Sequence, residues 1–86
     1  MTEDRATRLK RLQMRSMRRG TKEMDILLVR FTEARLADMT DAQLDAYEAM
    51  MNENDQDLYQ WISGQRPAPA EHADMIQEII KVAANG

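Results

Sequence analysis

The chain predicts an all-α fold, a compact bundle of about five short helices with no sheet. Three observations carry that expectation. Apolar residues recur at helical spacing instead of alternating, start and stop signals stand at the ends of the apolar stripes, and no run of β-branched residues is punctuated as a hairpin. The 86 residues read as a single helical domain, 1–86. Within it lie a basic helix over 1–19, central helices over 20–64, a Pro-containing connector over 65–70 and a C-terminal helix over 71–84.

The first helix spans roughly 2–18. Ala6, Leu9, Leu12 and Met17 make only a thin apolar stripe on it, and Met14 and Met17 are out of keeping with its basic character. Gly20 follows where a helix commonly ends, with Arg18 and Arg19 in the last turn, where positive charge suits the dipole. Thr21 is the expected N-cap of a second helix reaching about Leu36. Met24, Leu27, Leu28 and Phe31 share one face there, and Ile26 and Val29 widen it, which marks this helix as the central one. The third helix has the clearest start: Thr40 and Gln43 form a capping box, and Met39 and Leu44 a hydrophobic staple. Leu44, Tyr47 and Met51 line its inner face. A short fourth helix over 55–63 carries Leu58, Trp61 and Ile62 and stops at Gly64. The connector Gln65-Arg66-Pro67-Ala68-Pro69-Ala70 is stiffened by two prolines. A fifth helix then presents Met75, Ile76, Ile79, Ile80 and Ala83. The expected core contains Leu27, Leu28, Phe31, Leu44, Tyr47, Leu58, Trp61, Ile76 and Ile80.

Composition narrows the function. With 43% hydrophobic and 31% charged residues the chain has enough apolar surface to fold. It has no cysteine, so disulfides, thiolate metal sites and cysteine nucleophiles are excluded. No apolar run approaches the ~18 residues of a membrane span, and the first residues show neither a secretory h-region nor a purely basic presequence. A cytoplasmic location without membrane insertion is the expectation. The net charge of −3 conceals a division: residues 1–22 carry eight Lys/Arg against Glu3 and Asp4, whereas the remainder is strongly acidic. Such a division is read either as a solvated basic helix face or as a site for an acidic partner, nucleic acid or membrane surface.

No catalytic constellation is present. His72 is the sole histidine, expected at the surface near the start of the fifth helix, and a catalytic base ordinarily needs an orienting partner. Asp41, Asp45 and Glu48 read as a solvated helix face. Asn54-Asp55-Gln56-Asp57 lacks the glycine and terminal glutamate of a calcium loop, so helix capping explains it better. No Gly-rich turn offers a phosphate cradle. The chain is therefore expected not to be an enzyme, to use no catalytic residues and no metal, and to bind no cofactor stably by itself. Eight methionines are many for this length, and suit both irregular cores and adaptable binding surfaces.

The junction Arg18-Arg19-Gly20-Thr21-Lys22-Glu23 is the most informative stretch. It reads R-G-x-x-E and runs into the apolar helix Met24-Asp25-Ile26-Leu27-Leu28. About thirty residues on stands Asp55-Gln56-Asp57-Leu58-Tyr59-Gln60-Trp61, a D-x-D-L-x-x-W pattern. Together these resemble the succinate dehydrogenase flavoprotein assembly factor family, the SdhE type, over about residues 11 to 82. The chain departs from some relatives by a longer basic N-terminus and a shorter C-terminal tail. The resemblance implies a bundle of about five helices that binds the flavoprotein subunit of succinate dehydrogenase, or in some bacteria of fumarate reductase, and promotes covalent attachment of FAD to a histidine of that subunit. It implies Arg19, Gly20 and Glu23 as an exposed contact patch. The candidate partner-binding residues are Arg18, Arg19, Gly20, Glu23 and Asp25.

Residue chemistry accords with that role. Arginine offers a planar fork for carboxylates and carbonyls, glycine admits a close backbone, and Glu23 can accept donors from a partner or pair with Arg19. A helper of this kind works by binding one conformation of its client better than others. The free protein is expected to be a monomer. The alternative reading is a small nucleic-acid- or ribosome-associated module using the basic helix. Against it stand an acidic remainder, a pI of about 5.1 and the absence of aromatics among the basic residues.

Overall fold

Basic residues at 5, 8, 11, 15 and 19 recur at three- and four-residue steps, so they form one edge of the first helix. That edge decides where the helix lies. In the computed structural model, which describes residues 3–17 and 19–85, the described residues are all-α: α1 (Arg5–Met17), α2 (Lys22–Arg35), a short 3-10 turn (Leu36–Asp38), α3 (Asp41–Met51), α4 (Asp55–Ser63) and α5 (Ala70–Asn85). No strand occurs among them. The radius of gyration is 12.2 Å, close to the ~12 Å of a globular chain this long.

The helix boundaries follow local chemistry. Thr21 caps α2, its Oγ1 accepting from Met24 N–H at 3.3 Å. Thr40 and Gln43 complete the reciprocal capping box of α3, with bonds of 2.9 and 3.1 Å. Asn54 caps α4 through Asp57 N–H at 2.9 Å. Gly64 ends α4 in the left-handed region at φ 84°, a conformation that glycine adopts without a Cβ penalty. The 3-10 turn after α2 is not legible from the sequence; Met39 N–H bonds back to Leu36 O at 3.2 Å and tightens the chain before the α3 cap.

α2 packs on α1 and α5, and α5 in turn on α3 and α4. The core gathers Leu12, Met24, Leu28, Phe31, Leu44, Tyr47, Met50, Leu58, Trp61, Ile76 and Ile79, with Leu27 and Ile80 half-buried at its margin. Ile26 differs from expectation: it is 47% exposed. It lies two residues, about 200° of helix rotation, from Met24, so burying one face of α2 turns it outward. His72 also differs. It is buried, its ring 5.8 Å from that of Trp61 and its Nε2 3.2 Å from Glu53 Oε2, which anchors the start of α5 to the α3–α4 turn.

The basic edge of α1 meets the acidic face of α3. Arg5 reaches Asp41 at 3.1 Å, Arg8 reaches Asp45 at 2.6 Å and Glu48 at 3.2 Å, Arg11 reaches Glu48 at 2.8 Å, and Arg15 donates to Asn52 at 3.2 Å. Residue numbers rise together along both helices, so α1 and α3 run parallel, in register. The carboxylate face is solvated at Asp41 and Asp45, as expected, and with Glu48 it also forms an intramolecular ladder to α1. Arg11 holds the Glu48 carboxyl below its ordinary value by hydrogen bonding and charge, and Asp45 holds the Arg8 guanidinium more firmly protonated.

Between these helices lies one buried polar pair. Ser16 Oγ donates to Leu12 O at 2.8 Å and lies 2.6 Å from Tyr47 Oη. Having one proton, already committed to Leu12, Ser16 must accept from Tyr47. Burial pushes the Tyr47 phenol up to about 12. The two truncations are therefore unequal. Ser16→Ala strands a buried phenolic donor and should cost about 1–3 kcal/mol, whereas Tyr47→Phe leaves Ser16 satisfied and should cost about 1 kcal/mol or less. Urea denaturation of the two variants checks the order; equal losses would contradict the donor assignment.

Candidate partner-binding site

The α1–α2 junction is built by a side chain from each neighbouring element. Thr21 starts α2, and Asp25 in its first turn reaches back so that Oδ1 accepts from Arg19 N–H at 2.7 Å. Arg19 folds inward, not toward solvent. Its Nε donates to Asp55 Oδ1 at 2.6 Å, its Nη1 to Met51 O at 3.1 Å and its Nη2 to Glu53 O at 3.1 Å. The two side chains are 12% and 17% exposed. The second oxygen of Asp55 accepts from the Gly20 N–H. One carboxylate at the start of α4 thus holds both the guanidinium and the backbone of the junction, and the two motifs singled out in the sequence become one structure.

Gly20 follows the end of α1 as expected, and the structure adds the reason for glycine. Its φ is not in the left-handed region; among the described residues only Gly64 has that conformation. Space, not φ, calls for glycine here: a Cβ on Gly20 would sit 3.0 Å from Asp55 Oδ2, tighter than an ordinary van der Waals contact. The expected pairing of Arg19 with Glu23 is replaced by the bond to Asp55. Gly20 and Glu23 are exposed, and Glu23 makes no ion pair or hydrogen bond among the described residues. Asp25 is half-buried in its junction role. Arg18 lies outside the described residues. The patch expected at Arg19, Gly20 and Glu23 thus divides into an exposed edge, Gly20 to Glu23, and an inward clasp, Arg19 with Asp55.

Asp55 is the residue that sequence reasoning missed as part of this site. A signal existed. Arg5, Arg8, Arg11, Arg15 and Arg19 stand 36 or 37 positions before Asp41, Asp45, Glu48, Asn52 and Asp55, a nearly constant offset. Beside the junction a polar cleft is lined by Thr21, Glu23, Gln56, Tyr59, Gln60 and Gln65 among others. No group of three or more His, Cys, Asp or Glu arranged to hold a metal occurs among the described residues.

The crowding at Gly20 makes a specific prediction. Gly20→Ala should destabilise the protein by about 1–3 kcal/mol through overpacking, and most of that loss should vanish in an Asp55→Ala background, where the opposing oxygen is gone. Denaturation midpoints of the four chains measure it; equal losses in both backgrounds would contradict the steric account.

Comparison with known proteins adds to this geometry. The family model described as flavinator of succinate dehydrogenase matches residues 10–83. A relative from Mycosarcoma maydis, named mitochondrial succinate dehydrogenase assembly factor 2, is 36% identical over 72 residues, 84% of this chain and 30% of its own length. Relatives of the same name from Meyerozyma guilliermondii and Drosophila grimshawi are 42% identical over 59 residues and 34% identical over 76 residues. These alignments cover 69% and 86% of this chain, and 44% and 52% of the relatives. The chain therefore spans about a third to a half of the length of these curated relatives. Their names point to mitochondria, which overturns the cytoplasmic location expected from the sequence. The nucleic-acid alternative is not favoured. With the R-G-x-x-E junction present, its Gly20–Glu23 part on an exposed edge, and a family match over residues 10–83, the protein belongs to the flavinator of succinate dehydrogenase family.

Proposed function

We propose that this chain is an assembly factor that binds the flavoprotein subunit of succinate dehydrogenase and promotes its covalent attachment of FAD. The family match over residues 10–83 carries this reading. The exposed Gly20–Glu23 edge supports it, since a fixed backbone corner beside an uncommitted carboxylate suits a protein partner. The flavoprotein subunit of fumarate reductase is a second client of the same chemistry. The chain acts without catalytic residues, holds no flavin or metal of its own and is a monomer when free.

The mechanism is differential binding. A client shifts toward the conformation competent for flavin attachment by as much as the helper prefers that conformation over others. Gly20 and Glu23 touch the client in this scheme. Arg19 acts through Asp55 and the backbone as a positioning residue, holding that corner in shape.

The test is reconstitution. The purified apo flavoprotein subunit is mixed with FAD, with or without this chain, and covalent flavin is followed by fluorescence in a denaturing gel. Wild-type chain should accelerate attachment. Glu23→Lys, at an exposed position where folding is unaffected by far-UV circular dichroism, should weaken client affinity by roughly tenfold or more, since an interfacial charge reversal costs several kcal/mol when like charges meet. A Glu23→Lys chain as active as wild type would contradict the contact assignment, and no acceleration by wild type would contradict the function.

A further inference from the structure

The ladder to α3 uses one edge of α1, and Leu12 and Ser16 fill its buried face. The opposite face is left over. Thr7, Lys10, Met14 and Met17 lie there, about half a helical turn from Leu12. Met14 and Met17 are 46% and 55% exposed, while Met24, Met39, Met50, Met51 and Met75 are at most 6% exposed. A shallow groove of about 530 Å³ runs along this face, lined by Thr7, Lys10, Arg11, Met14, Arg15 and Arg19. Among the described residues no carboxylate side chain lines it. Lys10 makes no ion pair among the described residues, and Arg15 donates only to neutral oxygens, those of Met51 and Asn52.

We propose that this groove is a second docking surface, and that its occupant is a client segment presenting an apolar side chain flanked by carboxylates. The identity of the client as the flavoprotein subunit rests on the function proposed above. Charge complementarity selects the occupant. A thioether floor takes an apolar side chain of irregular shape, and the Lys10 and Arg15 cations stand beside it with no acid of their own. Of the arginines in the groove, Arg11 is already neutralised by Glu3 and Glu48, while Asp41 and Asp45 are engaged with Arg5 and Arg8, so the unneutralised charge falls to Lys10 and Arg15. The groove ends at Arg19, so it is continuous with the junction that carries Gly20 and Glu23. A client lying across both would contact α1 and the corner at once. Nucleic acid suits the groove less well, because no aromatic side chain lines it for base stacking.

Methionine oxidation reads this surface without a substitution. The full chain, alone and saturated with the apo flavoprotein subunit, is exposed to dilute hydrogen peroxide. Each methionine takes up one oxygen atom to give the sulfoxide and water, and peptide mass spectrometry follows the rates. In the free chain Met14 and Met17 should oxidise first, with buried Met24 and Met50 as internal references. In the complex Met14 and Met17 should slow several-fold. A Lys10→Glu/Arg15→Glu chain, folded by circular dichroism, should bind the subunit roughly tenfold more weakly, with a reduced dependence on salt. Unchanged Met14 oxidation in a complex that Gly20→Arg abolishes would overturn the groove and leave the function standing. A wild-type chain that does not bind the subunit at all would overturn both. Protection by single-stranded RNA and not by the subunit would assign the groove to nucleic acid, and protection that rises with concentration of the chain alone would assign it to a second copy; either result overturns the proposal.

Discussion

The Arg19 guanidinium holds two helix junctions together, and the surface of the protein around residue 20 depends on it. It donates to the Asp55 carboxylate and to the carbonyls of Met51 and Glu53, while Asp55 also receives the Gly20 N–H. The last carbonyls of a helix need partners from outside it, and Arg19 serves Met51 O, which Arg15 also reaches, together with Glu53 O in the turn that follows. A largely buried cation is tolerable only when paired and hydrogen-bonded, and here each guanidinium nitrogen has an acceptor. Charge-assisted bonds of this kind are the stronger ones available to a small domain. The same carboxylate explains why position 20 is glycine, so one contact accounts for the Arg, the Gly and the first Asp of two separated motifs.

Seen along its length, α1 ends in that clasp after a ladder of weaker pairs. The outer rungs are exposed; Asp41 and Asp45 are 86% and 72% accessible. Exposed pairs contribute little to stability, but a repeated offset fixes how two parallel helices slide against each other. The division of charge in the sequence, basic early and acidic later, is thus largely spent within the molecule. That is the physical reason a basic helix here need not seek phosphate. Among the described residues of α1, Lys10 and Arg15 beside Met14 have no acid of their own and sit on an apolar floor, which is what the proposed docking surface rests on.

Much of the fold is legible in the sequence where it rests on local chemistry. The Thr40–Gln43 box, the Asn54 and Thr21 caps and the Gly64 stop use groups within a few residues of one another, and the structure forms each of them. The apolar stripes around Phe31, Tyr47, Trp61 and Ile76 are likewise read correctly, because periodicity alone orients them. What escapes is tertiary. Whether Arg19 points out or in depends on Asp55, 36 positions away. Whether His72 is exposed depends on Trp61 and Glu53 arriving beside it. Gly20 is recognisable as a special position just past the first helix, but the close approach of a distant carboxylate is legible only in the structure. The family resemblance points to the Arg19–Glu23 stretch, and geometry divides that stretch between an exposed edge and an internal clasp.

The central claim is that Arg19 and Asp55 act as one unit that fastens the α1–α2 junction to the α3–α4 turn. A double-mutant cycle in urea measures it most directly, using Arg19→Ala, Asp55→Ala and the doubly substituted chain. Strong coupling is the predicted result, about 1.5–3 kcal/mol as for hydrogen bonds to charged groups, with the double substitution losing little more than either single one. Losses that add to within about 0.5 kcal/mol would mean that the two side chains do not depend on each other, and would contradict the account.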